Sequence, residues 1–232
     1  MKILAIETAT EACSVALWLD GECLERFELA PRRHALRALP MAEELLAEAG
    51  IGRRALDGLA CGRGPGAFTG VRLAVALTQG LALALDRPVA GVSTLAALAC
   101  AAPGSGSHVL ATIDARMGEV YAGLFQRDRD APLPLGPERV LAPGQLELPG
   151  AGTWSAVGTG LAAAGGALLE RLEGRLEGHD ASALPRAADV ARLAAGVFRD
   201  GGGMDAAALE PAYLRDRVAQ TLAEQAAARA QR

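Results

Sequence analysis

Apolar positions at the start of the chain come in short blocks that end at polar turns. Residues 2–7 (KILAIE), 12–19 (ACSVALWL) and 22–29 (ECLERFEL) are such blocks, and their length and composition predict three strands. The last two are separated by Asp20-Gly21, a pair that favours a tight hairpin. The spacing then changes. Leu36, Leu39, Leu45 and Leu46 recur with Glu43, Glu44 and Glu48 between them, which predicts an amphipathic helix over 33–49 stopped at Gly50. Pro40 inside that pattern predicts a kink or a fresh start. Short strands follow at 57–61 and 89–92, with Ala- and Leu-rich helices at 69–85 and 93–101. The order β-β-β-α-β-α-β-α suits a sheet covered by helices.

The run Pro103-Gly104-Ser105-Gly106-Ser107 breaks the pattern, and such a polar, flexible stretch predicts a boundary. It divides the chain into lobes of residues 1–104 and 105–232. Strands are expected at 109–114 and 119–126 around a turn at 115–118. A Pro- and Gly-rich stretch at 131–152 carries one or two short strands. A strand at 154–157 and helices near 160–173 and 187–200 complete the lobe. The Ala-, Gln- and Arg-rich tail from 217 reads as helix, and the chain beyond about 212 is expected to pack back on the first lobe. Each half opens strand, acid-containing turn, strand. The expected class is α/β, with two lobes of related topology, each a mixed sheet with helices.

Composition narrows the function. Half of the 232 residues are hydrophobic (51%) and 22% are charged, as in a packed globular chain. Aromatics are only 3%, so Ala, Leu and Val must fill the core. The net charge is −4 and Lys2 is the only lysine. No basic stripe of the kind that holds nucleic acid unaided is present. Glu7 and Glu11 interrupt the N-terminal apolar run and no uninterrupted apolar stretch of about 20 residues exists, so neither a signal peptide nor a membrane span is expected, and the protein reads as cytoplasmic. Cys13, Cys23, Cys61 and Cys100 form no C-x-x-C pair and read as free thiols. His34, His108 and His179 stand far apart, with no H-x-x-x-H, H-E-x-x-H or G-x-S-x-G in the chain. No local metal site or catalytic nucleophile is encoded.

Three segments carry candidate chemistry. In residues 3–16, Glu7, Thr8 and Thr10 follow the first strand where a phosphate loop or its magnesium would be met. The turn lacks a glycine, Ala9 standing between the threonines, and a hairpin corner with hydroxyl caps is the favoured reading. In GRGPGAFTGVR (62–72), glycines at 62, 64, 66 and 70 precede a helix. They suit either an anion at the helix N-terminus or a tight strand-to-helix turn. No Walker lysine is present. In IDARMGEVY (113–121), Asp114, Arg116 and Glu119 surround a turn as cleft ligands or as a local ion pair.

Taken together, ILAIETATEACSVALW, RRHALRALPM, GRGPGAFTGVR, GVSTLAALA, IDARMGEVY and EPAYLR (210–215) stand in the order and spacing of the TsaB (YeaZ) family of tRNA threonylcarbamoyladenosine biosynthesis proteins. The resemblance spans nearly the whole chain and is weakest over 127–185. It implies the two-lobed actin, sugar-kinase and Hsp70 (ASKHA) fold. It also implies a non-catalytic subunit that docks on and activates its sister TsaD, serves the ATPase TsaE, forms a homodimer when alone and meets tRNA only through the complex. The sister holds a metal through an H-x-x-x-H helix, whereas the matching helix here begins Ser93-Thr94-Leu95-Ala96-Ala97. No cofactor of its own is implied, with ATP or ADP bound weakly or at the complex interface. The family pairs through its first two helices, which maps the interface onto His34, Leu36, Leu39, Gly64, Pro65, Gly66, Phe68, Thr69, Val71, Arg72 and Val75, with Phe68 as anchor. The rival on the same fold is a free-standing ATPase or small-molecule kinase using Glu7 and Asp114.

Overall fold

The computed structural model describes residues 1–215; the expected tail helix from 217 lies outside them. The first sheet contains β1 (Lys2–Glu7), β2 (Ala12–Leu19), β3 (Glu22–Leu29), β4 (Gly58–Gly62) and β5 (Val89–Val92), in the order β3-β2-β1-β4-β5. The first three form an antiparallel meander, and β4 and β5 are added in parallel. Both faces of β1 are buried. Leu4 and Ile6 face α1 (His34–Glu48) and α2 (Phe68–Leu85), while Ile3 and Ala5 face α5 (Ala187–Arg199). That explains why the strand reads as a continuous apolar run rather than an alternating one.

The second sheet runs β11-β10-β6-β7-β8. It is built on the hairpin of β6 (His108–Arg116) and β7 (Glu119–Gln126), with β10 (Trp154–Val157) and β11 (Leu176–Asp180) parallel on one side. The expected short strands of the Pro/Gly stretch are β8 (Leu133–Pro134) and β9 (Arg139–Leu141), both on β7. Val109, Ala111 and Ile113 of β6 pack against α3 (Thr94–Ala99), whose first turn is capped by Ser93 Oγ accepting from Ala96 N at 3.1 Å. Leu110 faces the opposite side, toward α4 (Ala163–Leu172).

Four features depart from expectation. α1 runs through Pro40 without interruption, since Leu36 and Pro40 both lie on the exposed side, where the carbonyl freed at Leu36 meets water. The helix expected over 160–173 is broken: Ala164, Gly165 and Gly166 have φ of 50°, 73° and 85°. β11 was not foreseen, because LEGHD has no strand pattern. Finally, α5, expected in the second lobe, covers β1, β2, β4 and β5 of the first sheet; the packing expected of the chain beyond about 212 lies mostly outside the described residues. α2 is 18 residues long with a hydropathy of 1.5, long and apolar enough to cross a membrane, yet its Gly70, Val71, Ala74, Val75, Thr78 and Ala82 are buried within the fold.

The start of α5 is fixed by a polar cluster on the first sheet. Ser14 Oγ accepts from Ala187 N at 2.9 Å and donates to Glu25 Oε1 at 2.8 Å. Glu25 also accepts from Ala188 N at 3.1 Å and pairs with Arg186. Ser14 and Glu25 therefore close the first two orphan N–H groups of a helix 173 and 163 residues away. Glu25→Ala is expected to lower unfolding free energy by about 1–3 kcal/mol in denaturant titrations and to speed amide exchange across 187–199. Unchanged exchange in α5 would contradict this anchoring.

Candidate docking face and interlobe cleft

The β1–β2 turn and the start of α2 are pressed together. Thr8 Oγ1 donates to Gly70 O at 2.7 Å, and Ala67 N donates to Ala9 O at 2.7 Å. A Cβ at Gly66 would collide with the Ala9 carbonyl, and one at Gly70 with the Thr8 carbonyl. The glycines of GPGAFTG thus serve backbone contact. Glu7 turns inward. Its carboxylate accepts from Ala9 N at 2.7 Å and from Thr94 Oγ1 at 3.0 Å, and Thr94 Oγ1 in turn accepts from Gly64 N at 3.2 Å. Gly62 lies against the carboxylate with no room for a side chain. Burial pushes the Glu7 carboxyl up to about 7, against the opposing effect of its hydrogen bonds from Ala9 N, Thr94 and Thr8 N.

Across from this turn stands the tip of the β6–β7 hairpin. Arg116, Met117 and Gly118 are all left-handed, with φ of 64°, 56° and 75°. Asp114 Oδ1 accepts from Arg116 N at 2.7 Å, and its other oxygen pairs with the exposed Arg116 guanidinium at 3.2 Å. Asp114 N donates to Thr159 Oγ1 at 3.3 Å. Between the two turns lies a cleft of about 740 Å³, lined by Thr10, Glu11, His34, Asp114, Arg116 and Tyr121 among others.

The C-terminal described segment bridges the two sides. Gln79 Nε2 donates to the carbonyls of Ala206 and Leu209, and Ala212 N donates to Arg63 O at 2.7 Å. Tyr213 then reaches the start of α2, where the Arg72 guanidinium carbon sits 3.2 Å from the Phe68 ring centroid and 4.8 Å from that of Tyr213. Arg215 ends in the second lobe, donating to Ala115 O at 3.1 Å and pairing with Glu119 at 2.6 Å. Among the large apolar side chains, Leu36 (71%) and Leu39 (40%) of α1, Phe68 (53%) at the start of α2 and Tyr213 (52%) are exposed.

A family model described as tRNA N6-adenosine threonylcarbamoyltransferase (TsaD) matches residues 28–222. The tRNA threonylcarbamoyladenosine biosynthesis protein TsaB of Escherichia coli K12 is 43% identical over 228 residues, covering 94% of this chain and 96% of its own. The chain belongs to the TsaB family. TsaB of Haemophilus influenzae is 40% identical over 230 residues, covering 94% of this chain and 95% of its own. Two solved Pseudomonas aeruginosa structures are similar throughout. One, described as an uncharacterized protein with similarity to peptidase YeaZ, is 46% identical with a TM-score of 0.86; the other, YeaZ, is 42% identical with a TM-score of 0.80. Each aligns over 92% of this chain and 99% of its own. The two sheets with flanking helices form the two-lobed ASKHA architecture expected of TsaB.

In this TsaB chain the residues expected to act together separate into three groups. Leu36, Leu39, Phe68, Thr69 and Arg72 are exposed on α1 and α2. Val75 is core, Gly64 and Pro65 are buried, and Val71 is only 3% exposed at the cleft, which Phe68 and Tyr213 also line. His34 bonds Thr10 O through Nε2 at 2.9 Å, closing the cleft edge, which Gly66 also lines. Of the cleft candidates, Thr10, Asp114 and Arg116 line it. Glu7 and Thr8 do not, because both are spent on internal bonds. Glu119 is engaged by Arg215. Sequence reasoning missed the roles of Tyr213 and Arg215, although both lie in the EPAYLR string that marked the family.

The Glu7 carboxyl gives a pH signature. Its value is about 7 when folded against an ordinary 4.5, so the folded chain binds this proton more tightly than the unfolded one. The stability it contributes is full below about 4.5 and is lost as pH rises through about 7. The loss is on the order of 3 kcal/mol. Denaturant unfolding between pH 5 and 8 should show that fall in the natural protein and a flatter profile in Glu7→Gln. Parallel profiles would contradict a buried, proton-binding Glu7.

Proposed function

We propose that this chain is the supporting, non-catalytic subunit of the assembly that forms N6-threonylcarbamoyladenosine at position 37 of tRNA. It docks on and activates a TsaD-type transferase. The observation that carries the reading is the exposed Phe68 with its Arg72 guanidinium and Tyr213, together with the exposed Leu36 and Leu39 of α1. A partner covering it would desolvate an aromatic anchor with a stacked guanidinium, the kind of centre on which interface energy concentrates. The process is the one named for its TsaB relatives, tRNA threonylcarbamoyladenosine biosynthesis.

Two features support a non-catalytic role. Ser93-Thr94-Leu95-Ala96-Ala97 at the start of α3 offers no histidine where the resemblance puts the sister's metal-binding helix. Glu7, the acid nearest a phosphate loop, is turned away from the cleft and held by Thr94. TsaE joins the assembly as the ATPase, ATP or ADP binds at the subunit interface, and tRNA is met through the complex in the cytoplasm. The free chain forms a homodimer through the same helices, in competition with the transferase.

The deciding assay is formation of the modified nucleoside on tRNA with threonine, bicarbonate, ATP, the adenylate-forming synthase, TsaD and TsaE, with and without this chain. Dependence on the chain, with no product when TsaD is omitted, is the expected result. Full activity without it, or ATP turnover by the chain alone, would overturn the reading in favour of a free-standing ATPase or kinase. Phe68→Glu is expected to weaken TsaD binding by about 30-fold or more in calorimetry while leaving the thermal midpoint unchanged. Charge at Val71 is unsuitable for this test, since that side chain is buried and its replacement would unfold the lobe.

A further inference from the structure

The segment from Asp205 to Arg215 touches both lobes and the docking face within a few residues. Its start is held on α2 by Gln79 and on the Gly62–Gly66 loop through Ala212 N. Tyr213 shares the Arg72 guanidinium with Phe68. Two residues later, Arg215 reaches the β6–β7 tip in the second lobe. One Nη nitrogen binds both the Ala115 carbonyl and Glu119, and the other lies 3.2 Å from the Met117 sulfur. The tip it holds is the strained one, with non-glycine residues Arg116 and Met117 in the left-handed region. Such a conformation costs free energy and persists only where its surroundings enforce it. Arg215, whose side chain is 18% exposed, supplies that enforcement by closing the Ala115 carbonyl and the Glu119 carboxylate together.

We propose that this strap couples docking to the interlobe cleft: a transferase pressed on Phe68, Arg72 and Tyr213 immobilises the strap and, through Arg215, tightens the β6–β7 tip that borders the cleft. The inference rests on the docking reading above and adds regulation to it. The mechanism needs no contact between partner and tip. Phe68, Tyr213 and Arg215 all line the cleft, Tyr213 where it meets the Arg72 guanidinium and Arg215 where it meets the β6–β7 tip, and the one intervening residue leaves little slack between them. Arg215 is a positioning residue here, acting through the tip. By linkage, whatever docking adds to the tip's order, the tip's order must return to docking affinity.

The test is hydrogen exchange of the full chain, free and saturated with TsaD, read on peptides covering 113–121, together with calorimetric affinity. Docking is expected to slow exchange in this tip about fivefold. Arg215→Gln should lose that slowing and bind TsaD more weakly by about the same factor. Glu119→Gln, which leaves the strap's own sequence intact, should lose part of both effects and guards against an Arg215 variant that fails to fold. An unaltered tip on docking to the natural chain overturns the coupling while leaving docking standing. Slowing that persists at full size in both variants does the same, because it means the partner touches the tip directly. No binding by the natural chain sinks the docking reading, and the coupling with it.

Discussion

Between the β1–β2 turn and the first turn of α2 there is no space for a side chain, and the first lobe is registered on that contact. The carbonyls of Thr8 and Ala9 lie where Cβ atoms at Gly70 and Gly66 would stand. The same turn carries Glu7 back into the interior, to Thr94 at the start of α3. One tight approach therefore sets the position of α2 on the sheet, the direction of the β1 acid and the angle of α3 beneath the second sheet. The consequence is a helix whose inner face is fixed and whose outer face, with Phe68 and Arg72, is left free.

Much of the framework was legible because local pattern and tertiary role coincide. KILAIE and ACSVALWL are apolar on both faces since both faces are covered, and Asp20-Gly21 makes the hairpin with Asp20 and Gly21 at positive φ. The boundary near 103–107 falls in the turn between α3 and β6. What escaped depends on distant partners. β11 is a polar edge strand recognisable only from its parallel pairing with β10. α5 reads as an amphipathic helix, but nothing in its spacing names the sheet it covers.

At the candidate site, the direction of each side chain depends on partners distant in sequence. An acid after a first strand has the position of a cleft ligand. Its inward turn is dictated by Gly62 and Thr94, more than fifty residues away. Val71 and Val75 follow the same helix as Phe68 and Arg72, and only the actual rotation of α2 on the sheet assigns the valines inward. Tyr213 and Arg215 lie between the helix expected near 187–200 and the one expected from 217, in a stretch without periodicity, so their bridging role had no local signal.

The placement of α5 bears on how the chain is made. Ile3, Ala5, Ala16 and Ala60 on the first sheet are covered by Ala187, Val190, Ala191 and Ala194, so one face of the first sheet stays uncovered until α5 has been made. The N-terminal lobe is therefore not an autonomous early folding unit, although it is translated first. Closure of its sheet must wait for α5, and the two lobes reach their final state together rather than in sequence.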